Sequence, residues 1–158
     1  MLKTMLRVAA ALALCCLPSM GMAFNVTLQT SGDSTGGTLV DGVWIPTEDS
    51  TIVQADLQAW LDTGDVTIKT NGPGDILFFS ELDYSIPQGA SRTLVLVAEG
   101  DITPLQVSAE DGAMNVVLTA SGEVKCTDPI RTNGGDFTST GTDFSGCSDL
   151  QTKGGDVN

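Results

Sequence analysis

Short runs in which every second residue is apolar recur along most of this chain. Alternation with a period of two points successive side chains to opposite sides of a strand, whereas an amphipathic helix needs a spacing of three to four residues. Residues typical of turns separate the runs, so the pattern predicts an all-β protein of many short strands. The clearest alternating pairs are Val66 and Ile68, Ile76 and Phe78, Leu94 and Leu96, and Val116 and Leu118.

The chain also repeats itself. Residues 93–102 align without a gap on residues 115–124 at an offset of 22. Residues 65–72 align on residues 93–100 at an offset of 28, and residues 130–136 align on residues 150–156 at an offset of 20. One apolar position therefore recurs at spacings of 28, 22, 21 and 20, in Val66, Leu94, Val116, Phe137 and Val157.

A repeat of about 20 residues made of short strands predicts a parallel β-helix, in which each rung stacks on the last at about 4.8 Å. An antiparallel sandwich is the alternative. It would explain the alternation and the turns, but it would not explain the similarity between successive segments. We assign residues 64–158 to β-helix rungs.

A glycine followed by an acidic residue comes after several of the strands, at 74–75, 100–101 and 122–123. Glycine adopts positive φ at little steric cost, and aspartate accepts hydrogen bonds from its own neighbouring backbone. We expect these pairs to form tight bends by those two means.

The segment before the repeats has a different pattern. Residues 24–29 and 38–46 are predicted to be strands of an N-terminal β cap region that spans residues 24–54. Residues 55–63 are predicted to form a short capping helix, ended by Gly64 in the usual C-terminal capping position. Its apolar face would cover the open end of the coil, with Trp60 as part of the core rather than a ligand-binding aromatic.

The N-terminus has the features of a secretory signal peptide, residues 1–23. Lys3 and Arg7 precede an apolar run from Val8 to Leu17, and small residues lead to a cleavage site after Ala23. The apolar run is shorter than the roughly 20 residues that span a bilayer. The alternative of a lipoprotein rests on the adjacent Cys15–Cys16, which lack the usual small residue before a modified cysteine. We therefore expect secretion or display on a bacterial cell surface.

Removal of this signal leaves five basic and twenty acidic residues, a net charge of −15. No basic patch remains to bind nucleic acid or anionic lipid. The chain has no histidine, which removes the commonest general base and metal ligand. Most of the acidic residues are expected to be solvated surface.

Two cysteines, Cys126 and Cys147, follow the signal peptide, and they are 21 residues apart. The local rung, from Val116 to Phe137, is also 21 residues long. In a coil the two cysteines would lie on adjacent rungs, at a Cα separation of about 4.8 Å that a disulfide accepts. Such a bond would close a loop of about 20 residues, worth about 3 kcal/mol in the chain-entropy description. Two unrelated buried thiols are the alternative.

Several motifs resemble those of filamentous-haemagglutinin-like adhesins and related repeat-rich bacterial exoproteins. They are residues 43–49, residues 55–70 with the strand Asp65-Val-Thr-Ile-Lys-Thr70, residues 74–77, and residues 94–98. The resemblance covers roughly residues 40–158. It implies a right-handed parallel β-helix, secretion, and a role in attachment or as a stalk. Such proteins are usually far longer, and the Asn-Pro pair common in their secretion domain is absent, which leaves the route beyond the inner membrane open.

The last residues, 154–158, match the beginning of the strand at Gly134, so the sequence stops inside a rung. We expect a coil truncated at its C-terminal end. The alternative is that an open C-terminal rung, with unpaired backbone groups, self-associates with another subunit.

No catalytic motif, phosphate-binding loop or zinc-ligand spacing is present, and we expect no catalytic residue and no cofactor. Asp101, Glu123 and Asp156 recur near rung corners, where a stack of carboxylates would bind calcium weakly, although turn formation explains them as well. The favoured function is a structural or adhesive surface module that binds a host-cell or surface glycan or protein. A carbohydrate-binding or carbohydrate-cleaving β-helix and a self-assembling extracellular fibre subunit are the alternatives.

Overall fold

The computed structural model describes residues 22–79 and 81–158, so the predicted signal peptide lies outside the described residues except for Met22 and Ala23. The described residues form thirteen strands and one helix. In chain order these are β1 (Val26–Gln29), β2 (Thr35–Val40), β3 (Val43–Val53), α1 (Gln54–Thr63), β4 (Val66–Lys69), β5 (Ile76–Phe78), β6 (Leu82–Ala98), β7 (Ile102–Thr103), β8 (Val107–Ala120), β9 (Glu123–Lys125), β10 (Ile130–Arg131), β11 (Phe137–Thr140), β12 (Asp143–Ser145) and β13 (Leu150–Gln151).

These elements coil into a parallel β-solenoid of about five turns, which confirms the predicted parallel β-helix. Strand pairing defines three faces. Face A consists of β1, the end of β3, β5, β7, β9 and β12. Face B consists of the first parts of β6 and β8, followed by β10 and β13. Face C consists of the start of β3, β4, the last parts of β6 and β8, and β11.

The register agrees with the sequence repeat. Val66 pairs with Leu94, Leu94 with Val116, and Val116 with Phe137, which forms a bridge to Val157. In most of the parallel strands, residues alternate between the interior and the surface, and the inward ones are almost completely buried, whereas all three residues of β12 in the last rung are exposed. The core is therefore a set of apolar columns that run along the coil axis, as the period of two predicts.

Strand β1 is part of the coil and not of a separate cap, contrary to the prediction. It lies in face A between Ser50–Val53 of β3 and β5, parallel to both. Without it, β3 and β5 would each leave a row of backbone donors and acceptors unpaired in the middle of face A, which is costly. The N-terminal segment thus fills the place between β3 and β5 in face A, which no later strand occupies.

The predicted single strand at residues 38–46 is wrong, because the chain reverses at Asp41-Gly42. Both residues have positive φ, 49° and 77°, the conformation of a tight two-residue hairpin turn. Strand β2 precedes this turn, runs antiparallel to β3 and pairs with the free edge of β3. The edge is thereby protected from pairing with another chain.

Helix α1 packs its apolar face over the coil, as predicted. Leu57 and Leu61 are fully buried, and Trp60 stacks on Trp44 with ring centroids 5.4 Å apart. Trp60 is partly buried against the core, which supports its interpretation as a packing residue.

The C-terminus of α1 differs from the expected glycine cap. Gly64 donates its backbone N–H to Trp60, but its φ of 177° is extended rather than left-handed. The last carbonyl groups are instead bound by Arg92, whose Nε lies 2.6 Å from the oxygen of Leu61 and whose terminal nitrogen lies 3.2 Å from that of Asp62. A cation at this position also interacts favourably with the helix dipole.

The predicted disulfide between Cys126 and Cys147 is present, with a Cα–Cα distance of 4.6 Å. It joins the turn after β9 to the turn after β12, one rung further along. Among the described helical residues, none form a segment long and apolar enough to cross a membrane.

Candidate functional site

The acidic residues proposed as one carboxylate stack belong to two separate ladders. Asp101 and Glu123 lie on face A, whereas Asp156 follows Asp136 at the border of face C. Asp101, Glu123 and Asp156 therefore do not form a single stack of carboxylates. Within residues 22–79 and 81–158, no group of three or more potential metal-binding side chains is found.

The face A ladder consists of Asp49, Asn25, Asp75, Asp101 and Glu123 in spatial order. In each step a side-chain oxygen accepts the backbone N–H of the equivalent residue in the next rung, at 2.7–2.9 Å. We expected each aspartate to bond its own neighbouring backbone, and this is wrong at Asp75 and Asp101. The ladder joins one rung to the next and holds them in register.

This ladder also explains the glycines at the corners. Gly74, Gly100 and Gly122 do not have positive φ, so the expected reason for glycine there is wrong. A Cβ at Gly100 would instead collide with Asp75 Oδ1, and one at Gly122 would collide with Asp101 Oδ1. Glycine is required at positions 100 and 122 because the carboxylate of the preceding rung occupies the space of its side chain, and at position 74 because the backbone carbonyl oxygen of Phe24 does.

Lys125 neutralises part of the face A ladder. Its Nζ donates a hydrogen bond to Asp101 Oδ2 and lies 3.6 Å from Glu123 Oε2. The hydrogen bond from Lys125, together with the backbone N–H of Glu123, lowers the pKa of Asp101. The same hydrogen bond raises the pKa of Lys125. These carboxylates are thus already used for protein contacts.

The second ladder runs along one border of face C, through Asp65, Thr93, Asn115, Asp136 and Asp156. Asp65 Oδ1 accepts the N–H of Thr93 at 2.8 Å, and Asn115 Oδ1 accepts the N–H of Asp136 at 2.9 Å. The residue that follows each ladder member up to Asp136 points into the core, and the next one points outward. The ladder therefore fixes where the outward side chains of face C begin.

The outward side chains of face C form two in-register columns, which we call the face C array. The first column contains Val43, Thr67, Val95, Val117 and Thr138, and the second contains Lys69, Val97, Thr119 and Thr140. All except Lys69 are valine or threonine, whose branched Cβ restricts χ1. The spacing is about 4.8 Å between rungs and about 6.7 Å between columns, two residues apart along a strand.

The other two faces differ from this array. Outward residues of face B include Asp83, Glu110 and Arg131. Face A has the acidic ladder at its border and one outward column, which runs through Thr51, Thr27, Leu77 and Thr103 to Lys125. On face C the acidic residues stay at the borders, in the ladder on one side and at Glu99 on the other. Apart from Lys69, the face C array contains no charged side chain.

A cleft of about 340 Å³ adjoins the second column. Its lining combines apolar residues with one basic and one acidic side chain: Ile45, Pro46, Lys69, Thr70, Asn71, Val97 and Glu99. Arg92, Lys125, Arg131 and Lys153 all donate to protein oxygens. Among the described residues, Lys69 is the basic side chain for which no such partner is found.

The alternation in the sequence predicted the inward positions of the strands, but the outward columns were not predicted. The signal was available, because aligned repeats place threonine or valine at residues 67, 95, 117 and 138. Comparison with protein-family models, curated proteins and solved structures gives no match to this chain.

Proposed function

We propose that this protein is a secreted or cell-surface structural and adhesive module without catalytic activity. Its motifs resemble those of filamentous-haemagglutinin-like adhesins. The observation that carries the proposal is the difference between the three faces of one coil. Face B carries charged side chains on its outward strands, and face A has a single outward column beside its acidic ladder, whereas face C has two outward columns that are valine and threonine apart from Lys69. A surface of this kind suits attachment by contact over an area rather than reaction at a point.

The scaffold supports this role because it holds the array rigidly. Both ladders fix the register of successive rungs through side chain-to-backbone hydrogen bonds. The disulfide joins rungs near the C-terminal end, and β2 with α1 covers the N-terminal end. A surface that is ordered before binding loses little conformational entropy on attachment.

Charge determines which face can attach. With a net charge of −15 after signal removal, most of the surface repels anionic cell envelopes and other copies of the chain. The face C array lacks acidic residues and offers methyl groups and hydroxyls instead. Attachment through this face therefore avoids the repulsion that the other faces would produce.

The test compares two substitutions of the same residue type. Thr119 lies in the middle of the face C array, and Thr27 lies at an outward position in the middle of face A. We expect beads coated with the wild-type protein or with Thr27→Lys to be retained on cultured epithelial cells, mucin or uncoated polystyrene. Thr119→Lys should abolish that retention. Equal retention of both variants, or no retention of the wild type on any of these surfaces, would contradict the proposal.

A further inference from the structure

The face C array is periodic in two directions, and this restricts what it can bind. Strands repeat at about 4.8 Å, and outward side chains within a strand repeat at about 6.7 Å. Four in-register strands, β4, β6, β8 and β11, contribute two outward side chains each. A ligand that contacts all of them equivalently must itself repeat at similar distances.

Several classes of ligand fit the array poorly. A small soluble molecule needs a concave pocket, and these side chains stand along the outside of a sheet. Four strands by two columns cover about 250 Å², far below the roughly 800 Å² per partner of a stable protein interface, so a second copy would not be held there. The array lacks the tryptophan, tyrosine and arginine anchors of protein interfaces, and nucleic acid requires several cations where only Lys69 is present.

Crystalline water repeats at distances close to both of these spacings. Hydrogen-bonded oxygens lie about 2.75 Å apart, and tetrahedral geometry then places next-nearest oxygens about 4.5 Å apart. The layer repeat of the same hexagonal lattice is eight-thirds of the bond length, about 7.3 Å. These values differ by about 0.3 Å from the rung spacing and by about 0.6 Å from the column spacing.

We propose that the face C array binds the surface of ice crystals. This proposal rests on the proposed function, because it names a ligand for the same attachment surface. Valine and threonine methyl groups form no hydrogen bonds, so the water above them bonds to itself in an ordered network. Threonine hydroxyls can occupy positions of lattice oxygens. Restricted χ1 angles keep the spacing constant at each rung.

The difference between the rung spacing and the ice lattice limits how many rungs can contact ice in register. A difference of about 0.3 Å per rung adds up to about 1 Å over the three intervals between four rungs, within the reach of side-chain adjustment. Lys69 ends the second column at β4 with a long, charged side chain. It disturbs the ordered water, so replacing it with threonine should extend the array.

The experiment grows ice slowly from a solution of the purified protein on a cooled probe and measures the protein in the ice and in the remaining liquid. Wild type and Thr27→Lys should be enriched in the ice over a non-binding control protein, Thr119→Lys should fall to the control value, and Lys69→Thr should exceed the wild type. Circular dichroism verifies that each variant is folded.

The outcomes separate this inference from the proposed function. Wild-type protein at the control value, or enrichment that survives Thr119→Lys, overturns ice binding. Dimers in sedimentation that Thr119→Lys dissociates, without enrichment in ice, identify a second copy as the occupant and also overturn it. Retention on cells, mucin or polystyrene that depends on Thr119 would in those cases leave the proposed attachment function in place.

Discussion

Asp75 Oδ1 accepts the backbone N–H of Asp101, one rung further along the coil, at 2.7 Å. The same interaction requires glycine at position 100, where any side chain would occupy the space of that carboxylate. This hydrogen bond thus explains both the aspartate at position 75 and the glycine at position 100. It also makes the stability of the coil depend on hydrogen bonds that side chains form between rungs.

Replacing Asp75 with alanine removes the acceptor for the partly buried N–H of Asp101. We expect the free energy of unfolding to fall by about 1–3 kcal/mol, the usual cost of an unsatisfied buried donor. Asparagine retains an oxygen at the same position, as Asn25 does naturally in this ladder. Urea unfolding of Asp75→Ala and Asp75→Asn measures the difference, and equal losses in both variants would contradict the role of the oxygen acceptor.

Gly100→Ala introduces a methyl group against Asp75 Oδ1 and the carbonyl oxygen of Gly74. Since the backbone of two rungs must separate to admit it, we expect destabilisation of about 1–3 kcal/mol. Gly146→Ala is the control, because a Cβ there meets no atom within 4 Å. Thermal unfolding of both variants checks this, and a Gly100→Ala protein as stable as Gly146→Ala would disprove the steric explanation.

Reduction of the Cys126–Cys147 disulfide should destabilise the chain by about 3 kcal/mol, because the bond closes a loop of about 20 residues. The last rung is the most exposed part of the coil, with Phe144 at 41% exposure and Val157 at 57%. Amide hydrogen exchange should therefore accelerate first in residues 143–158. Uniform acceleration across all rungs would show instead that the bond stabilises the coil globally.

Lys125 makes the stability of the protein depend on pH in the acidic range. A carboxyl group whose pKa is lowered on folding stabilises the protein above its unfolded pKa, about 3.9, and this contribution is lost as the pH falls through the lower folded pKa. Asp101 is such a group. In Lys125→Met the melting temperature should change less between pH 5 and pH 2, about the range in which such contributions are lost. An unchanged pH dependence would exclude Lys125 as the cause.

The sequence predicted the features that repeat. The offset between Val116 and Phe137 gave the register of face C, and the matching offset of the cysteines gave the disulfide. Both follow from a simple property of a coil, in which residues one period apart become neighbours. The right-handed sense of the coil stays a prediction.

The features that occur once were not predictable in the same way. β1 lies between two strands that follow it in sequence, and no periodic pattern signals such an insertion. The hairpin at Asp41-Gly42 did carry a local signal, since Asp-Gly between apolar runs favours a two-residue turn. The face A ladder could not be predicted from the sequence, because an aspartate before a strand suits a local turn as well as a hydrogen bond to the next rung.

Labelling of two lysines tests most directly whether the face C array is the attachment surface. Lys69 lies within the array, and Lys125 lies on face A. The protein is acetylated with limiting reagent in solution and after attachment to polystyrene, mucin or ice, and mass spectrometry measures modification at both residues. Attachment through the array predicts that Lys69 becomes protected while Lys125 reacts as it does in solution. Protection of Lys125, or unchanged reactivity of Lys69, would contradict it.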